Sequence, residues 1–123
     1  MKRILFDNCT PATLRKHLKP YDVTTAGEKG WEELKNGELL KRAEREFDVM
    51  ISCDSNIKYQ QRLPDFTIAL IVLRGIKNAE PHLIELMPEV LSRLEHIQPG
   101  EIVYLFTEAM IEIEKRRGHE FKR

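Results

Sequence analysis

Five short apolar segments alternate along the chain with stretches of helical periodicity. The two segments at 49–51 and 68–73 are continuously apolar, as expected of strands that are covered on both faces. Strands that alternate with helices predict βαβ units, and hence an α/β three-layer sandwich with a mainly parallel sheet of about five strands. The predicted strands span about residues 3–6, 22–25, 48–53, 67–73 and 101–106.

The segments between the predicted strands carry helix signals. Thr10 and Pro11 predict the N-cap and the first residue of one helix. Apolar residues spaced by three and four predict further helices over about 36–46 and 80–96. Asn36 is expected at the N-cap of the first of these two helices, close to the ends of the strands.

Length and composition indicate a globular protein. The chain has 123 residues, of which 41% are hydrophobic and 33% are charged, which is typical of a soluble domain rather than a disordered or membrane protein. The N-terminal residues lack a signal-peptide pattern, which predicts a cytoplasmic location. We expect residues 1–106 to form one domain and residues 107–123 to form a C-terminal helical extension with a basic tail.

Net charge limits the ways in which the protein could hold nucleic acid. Twenty basic residues balance twenty acidic ones, whereas proteins that bind nucleic acid by general phosphate neutralisation are usually more basic. Any such contact must therefore come from a local patch. The candidate cations are Lys35, Lys58, Arg62, Arg74 and the tail at 114–123.

The two cysteines, Cys9 and Cys53, lie next to acidic residues at the ends of two predicted strands. Neither belongs to a Cys-x-x-Cys pair, and the four histidines are scattered along the chain. This spacing favours reduced, partly buried thiols over a zinc site or a disulfide.

Two predicted strands end in a similar set of acidic and amide residues. Asp7 and Asn8 follow the first strand, and Asp54 follows the third. In a doubly wound sheet of order 2-1-3-4-5 these strands are neighbours at the switch point, where ligands bind. Either aspartate alone could be a turn or cap residue, but two carboxylates brought together suit Mg²⁺ or Mn²⁺. The coincidence predicts a metal site.

Two glutamates are further candidates for this site. Glu38 lies in the first turn of the helix at 36–46, and Glu28 follows the second strand. A glutamate in the first turn also stabilises a helix through its dipole, so that Glu38 has a structural reading as well as a functional one.

Three stretches of the sequence resemble the PIN-domain superfamily, and more closely its short, compact PIN-like members from bacteria. They are "ILFDNCTP", "DVTTAGEKGWEELKNGELLKRAEREFDVMISCDSNIKYQQ" and "IALIVLR", and the resemblance covers about residues 3–106. PIN domains are metal-dependent ribonucleases, and many serve as the toxin of a toxin–antitoxin pair. The resemblance implies a PIN-like fold, a Mg²⁺ or Mn²⁺ cofactor, RNA as substrate and an antitoxin protein as a partner.

Carried over residue by residue, the resemblance makes Asp7 and Asp54 both catalytic residues and metal ligands. Asn36 stands where short PIN-like sequences often have an aspartate. Glu38 is therefore the candidate third ligand or general base, with Glu28 as the alternative acidic group. The candidates for substrate binding or for support of the ligands are Asn8, Asn36, Asn56, Tyr59, Gln60 and Glu28.

Two functions remain open from the sequence. The first is a PIN-type endoribonuclease that hydrolyses RNA phosphodiester bonds. The alternative is a catalytically weak PIN-like binding module that acts through protein or RNA contacts, which the neutral Asn36 and the balanced charge favour. A receiver-like domain fits less well, because no lysine follows the fifth strand. A second copy of the chain is a further candidate partner, since small domains that carry a site often assemble.

Overall fold

The computed structural model describes residues 1–54 and 66–118. Within these ranges five strands pair side by side in one wholly parallel sheet. They are β1 (Ile4–Phe6), β2 (Val23–Thr25), β3 (Val49–Ser52), β4 (Ala69–Arg74) and β5 (Ile102–Phe106). Their order is β2-β1-β3-β4-β5, which confirms the predicted strands and the predicted position of the first strand beside the third.

One predicted helix is broken. Among the described residues the α-helices are α1 (Asn36–Glu46), α2 (Glu80–Leu83), α3 (Met87–Leu94) and α4 (Glu108–Arg116). The continuous helix predicted over 80–96 is therefore wrong, since a 3₁₀ turn at Ile84–Leu86 separates α2 from α3. Pro88 lacks the N–H that a continuous helix would donate to the carbonyl of Ile84, which explains the break.

Two predicted helix starts also need correction. The segment after β1 is a 3₁₀ helix, Ala12–His17. Its N-cap position is occupied by Pro11 rather than by Thr10. The Thr10 hydroxyl instead donates to Asp7 Oδ1 at 2.7 Å. Similarly, the extended residue before α1 is Lys35, and Asn36 is the first helical residue rather than the N-cap. In both places the polar side chain bonds to an aspartate and not to its own helix.

Apolar side chains cover both faces of the sheet and make it the middle of three layers. The 3₁₀ helix and the α2–α3 region cover one face. Helix α1 covers the other face with Leu39, Leu40 and Ala43. Trp31 packs on the same face and meets the Phe47 ring edge-on, with ring centroids 6.3 Å apart. Trp31 therefore packs its loop onto the sheet.

Helix α4 begins directly after β5 and packs on the domain. Thr107 caps it by accepting a hydrogen bond from the Met110 N–H at 3.2 Å. Ile111 and Glu114 are buried, and Arg74 at the end of β4 lies 4.0 Å from the Glu114 carboxylate. Among the described residues, none of the helices is both long enough and apolar enough to cross a membrane.

Candidate functional site

The register of the sheet places the end of β1 against the end of β3. Phe6 is paired with Ile51, and the Asp7 N–H donates to the Ile51 carbonyl at 3.1 Å. Asp7 thus continues the ladder by one residue, beside Ser52. The C-terminal ends of all five strands lie at this edge because every pairing is parallel. This is the switch point of the sheet, the place where open parallel sheets bind their ligands.

Asp7 is a buried carboxylate that three donors hold in place. Its side chain is only 4% exposed. The Thr10 hydroxyl and the Cys9 N–H donate to Oδ1 at 2.7 and 3.2 Å, and the Ser52 hydroxyl donates to Oδ2 at 2.5 Å. Burial raises the pKa of Asp7 and the charge of Asp54 adds to the rise, while the three hydrogen bonds oppose it. The carboxylate is therefore fixed in one orientation and is costly to ionise.

Ser52 joins the two aspartates. Its side chain is fully buried, and its hydroxyl donates to Asp7 while accepting a hydrogen bond from the Asp54 N–H at 3.0 Å. Asn36, at the start of α1, donates from Nδ2 to Asp54 Oδ2 at 2.9 Å. Each aspartate is thus held by a neighbouring element, and the first residue of α1 is tied to the site. We call Asp7 and Asp54 the acid pair.

The other predicted site residues lie in different surroundings. Glu28 is exposed and binds Arg15 Nη1 at 2.6 Å and the Thr25 N–H at 2.9 Å, so that it closes the turn after β2. Asn8 is exposed and donates to the Glu32 carbonyl at 3.3 Å. Neither contact reaches the acid pair.

Glu38 is exposed on the outer face of α1, where it lines a surface hollow with Lys41, Arg42 and Arg45. No contact among the described residues joins it to Asp7 or Asp54, and its place as a third ligand stays a prediction. Three further candidates, Asn56, Tyr59 and Gln60, lie outside the described residues.

Sequence reasoning missed two residues of the site, Ser52 and Thr10. Ser52 ends the apolar run of β3, and a lone hydroxyl inside a fully buried strand is a signal that a buried partner is present. The sequence predicts Thr10 as a helix N-cap, because threonine is one of the preferred N-cap residues. Both residues instead hold the Asp7 carboxylate.

The two thiols beside the acid pair are kept neutral. Burial raises the pKa of Cys53 to about 12, and partial desolvation together with the charges of Asp7 and Asp54 raises the pKa of Cys9. A thiol rather than a thiolate is a poor nucleophile and a poor metal ligand. Cys53 is a buried free thiol, whereas Cys9 is an exposed one, so that the expected burial of Cys9 is wrong.

The donor atoms at the site fit a hard divalent cation. Carboxylate, hydroxyl and amide oxygens are the ligands that Mg²⁺ and Mn²⁺ prefer. Within residues 1–54 and 66–118, no basic side chain forms an ion pair with Asp7, and the groups that affect its pKa include no cation. A buried carboxylate beside a second one needs positive charge or a proton. In the same ranges no three cysteine, histidine, aspartate or glutamate side chains converge as a ligand group, so that the fit rests on the acid pair.

Comparison with known proteins returned no relative: no family model, curated protein or solved structure matches the chain.

A pH-dependent stability distinguishes this site from an ordinary turn. The pKa of folded Asp7 is raised above its usual value near 4. The contribution of Asp7 to folding stability is therefore fully present at pH below that usual value and is lost as the pH rises through the raised pKa. Without metal, Asp7→Asn should therefore raise the free energy of unfolding at neutral pH by roughly 0.5–2 kcal/mol. The Ser52 hydroxyl can accept from the new amide through its second lone pair.

Chemical denaturation of both proteins in chelator, from neutral pH down to about pH 4, checks this expectation. The advantage of the variant should shrink as the pH falls. A variant that is less stable than wild type at neutral pH would mean that Asp7 is a structural cap whose charge stabilises the fold.

Proposed function

We propose that the protein is a metal-dependent endoribonuclease of PIN type, with Mg²⁺ or Mn²⁺ held by Asp7 and Asp54. One observation carries the proposal. Asp7 and Asp54 follow adjacent parallel strands, where the Ser52 hydroxyl bonds to the Asp7 carboxylate and to the Asp54 backbone N–H, and Asp7 is buried with no cationic partner among the described residues. Such an arrangement is costly for stability and is typical of a site that binds positive charge.

The residues of the acid pair have separate roles in this proposal. A bound Mg²⁺ or Mn²⁺ supplies positive charge that acidifies a water molecule and neutralises charge on a phosphodiester. Asp7 provides a rigid ligand, because three hydrogen bonds fix both of its oxygens. Asp54 is half-buried, and the Asn36 amide holds one of its carboxylate oxygens.

RNA as substrate, an antitoxin protein as partner and action in the cytoplasm complete the proposal. They rest on the resemblance of the sequence to PIN domains. The free thiols Cys9 and Cys53 fit a reducing compartment.

A second candidate function is a PIN-like module that binds RNA or protein without cleavage. The observation in its favour is Asn36, whose neutral amide contacts Asp54, at a position where short PIN-like sequences often have an aspartate. A site with two carboxylates binds a cation more weakly than one with three, because fewer negative charges balance the ion.

Cleavage of single-stranded RNA by the purified protein separates the two functions. The nuclease reading predicts shortened products in the presence of manganese, and none when a chelator is present. RNA that is bound but stays intact at every metal concentration would establish the binding module instead.

A further inference from the structure

Helix α1 carries a cluster of basic side chains on the face that points away from the sheet. Lys41, Arg42 and Arg45 are exposed, and Arg45 stands four residues after Lys41 and three after Arg42, so that it lies beside both on one side of the helix. Two neighbouring hollows of about 360 and 240 Å³ share Arg42 and Arg45 in their walls. We call Lys41, Arg42 and Arg45 the basic face of α1.

Among the described residues, no acid forms an ion pair with Lys41, Arg42 or Arg45. Of the acids that line the two hollows, Glu46 pairs with Lys29 at 2.6 Å. Glu38 lies three and four residues before Lys41 and Arg42, and its single negative charge offsets only part of the three positive charges. Like charges three and four residues apart destabilise a helix. Although the protein as a whole has no net charge, the local excess of positive charge on α1 favours an anionic partner.

The same helix connects the basic face to the acid pair. Its first residue, Asn36, contacts Asp54, and Arg45 lies nine residues further on, about 14 Å along the helix axis. A chain of phosphates laid along the outer side of α1 from Arg45 towards Asn36 therefore approaches the acid pair. The two hollows provide space beside the cations along this path.

We propose that the basic face of α1, formed by Lys41, Arg42 and Arg45, binds the phosphate backbone of single-stranded RNA and leads it towards the acid pair. The direction of the RNA rests on the proposed function, whereas the binding itself does not. Contacts to phosphate carry no sequence information. This surface accordingly holds RNA of any sequence.

Salt-dependent binding tests this proposal. The probe is a fluorescein-labelled single-stranded oligouridylate, and its anisotropy is measured in chelator so that no metal-dependent cleavage occurs. The test variant is K41A/R42A/R45A. A matched control, K16A/K19A/K77A, removes the same charge from exposed positions outside α1. Alanine is favourable in a helix, and thermal melts check that both triple variants fold.

Each phosphate contact to a single strand contributes about 0.7 to the slope of log affinity against log salt. Between about 50 and 200 mM salt, the wild type and the control should therefore lose about 20-fold more affinity than the α1 variant does. The α1 variant should also bind more weakly at the lower salt concentration.

Three outcomes would overturn RNA binding by the basic face: no RNA binding by the wild type, equal salt slopes in all three proteins, or a loss of RNA affinity confined to the control. The result is independent of the nuclease test. If the wild type cleaves RNA and the α1 variant binds it normally, the RNA path along α1 is wrong while the nuclease stands. If RNA binding depends on the basic face but no condition gives cleavage, this inference stands and the nuclease does not.

Discussion

Replacing Asp54 by asparagine should abolish manganese-dependent cleavage of single-stranded RNA. We expect the rate to fall by at least about 100-fold, which corresponds to about 2.7 kcal/mol of lost transition-state stabilisation. The reason is that the acid pair would keep only Asp7, and one buried carboxylate cannot balance a divalent cation. The fold should persist, since the backbone N–H of residue 54, which bonds to Ser52, is unchanged.

The matched control for this variant is Asp22→Asn. Asp22 is an exposed aspartate that directly precedes β2, at the opposite end of the sheet from the acid pair. Initial rates of cleavage for the two variants and the wild type, at saturating manganese, make the comparison. Equal cleavage rates for Asp54→Asn and the wild type would remove Asp54 from the mechanism. A loss of cleavage in both variants would mean that removing any negative charge has this effect.

Replacing Asn36 by aspartate should strengthen metal binding. The substitution puts a third carboxylate beside Asp54, and the negative charge at the first position of α1 is also favourable for the helix dipole. We expect manganese to bind about 10-fold more tightly, a gain of about 1.4 kcal/mol. In chelator the same variant should be less stable than wild type, since it exchanges a hydrogen bond to Asp54 for charge repulsion.

Titration calorimetry with manganese checks this second expectation. Asp22→Asn is again the control, because this exposed residue lies at the opposite end of the sheet and should not alter the affinity. Unchanged affinity in Asn36→Asp would place residue 36 outside the metal's surroundings. A loss of affinity in Glu38→Gln would confirm the prediction that Glu38 is a ligand.

The arrangement of the strands was predictable because their interior positions are continuously apolar. The run at 68–73 has no polar residue, as is typical of a strand covered on both faces of a parallel sheet. From the parallel order it follows that the residues after β1 and β3 lie together. Asp7 and Asp54 could therefore be predicted as neighbours without any knowledge of their contacts.

The hydrogen bonds within the site were not predictable, because they depend on register and on the rotation of helix α1. Ser52 reaches Asp7 only because Phe6 pairs with Ile51, and a shift by one residue would turn Ser52 to the other face. The buried positions Leu39, Leu40 and Ala43 fix the rotation of α1. That rotation places Glu38 on the same side of α1 as the basic face. The position of Glu38 was predictable from the sequence, because it precedes Lys41 and Arg42 by three and four residues.

Thermal melts with and without excess manganese test the acid pair as a metal site most directly. A ligand at a hundred times its dissociation constant stabilises the folded state by about 2.7 kcal/mol. Each kcal/mol should move the midpoint by about 3–6 °C in a domain of this size. We predict an upward shift of roughly 8–16 °C for wild type and none for Asp54→Asn. No shift in wild type, or an equal shift in both proteins, would contradict a metal site at Asp7 and Asp54.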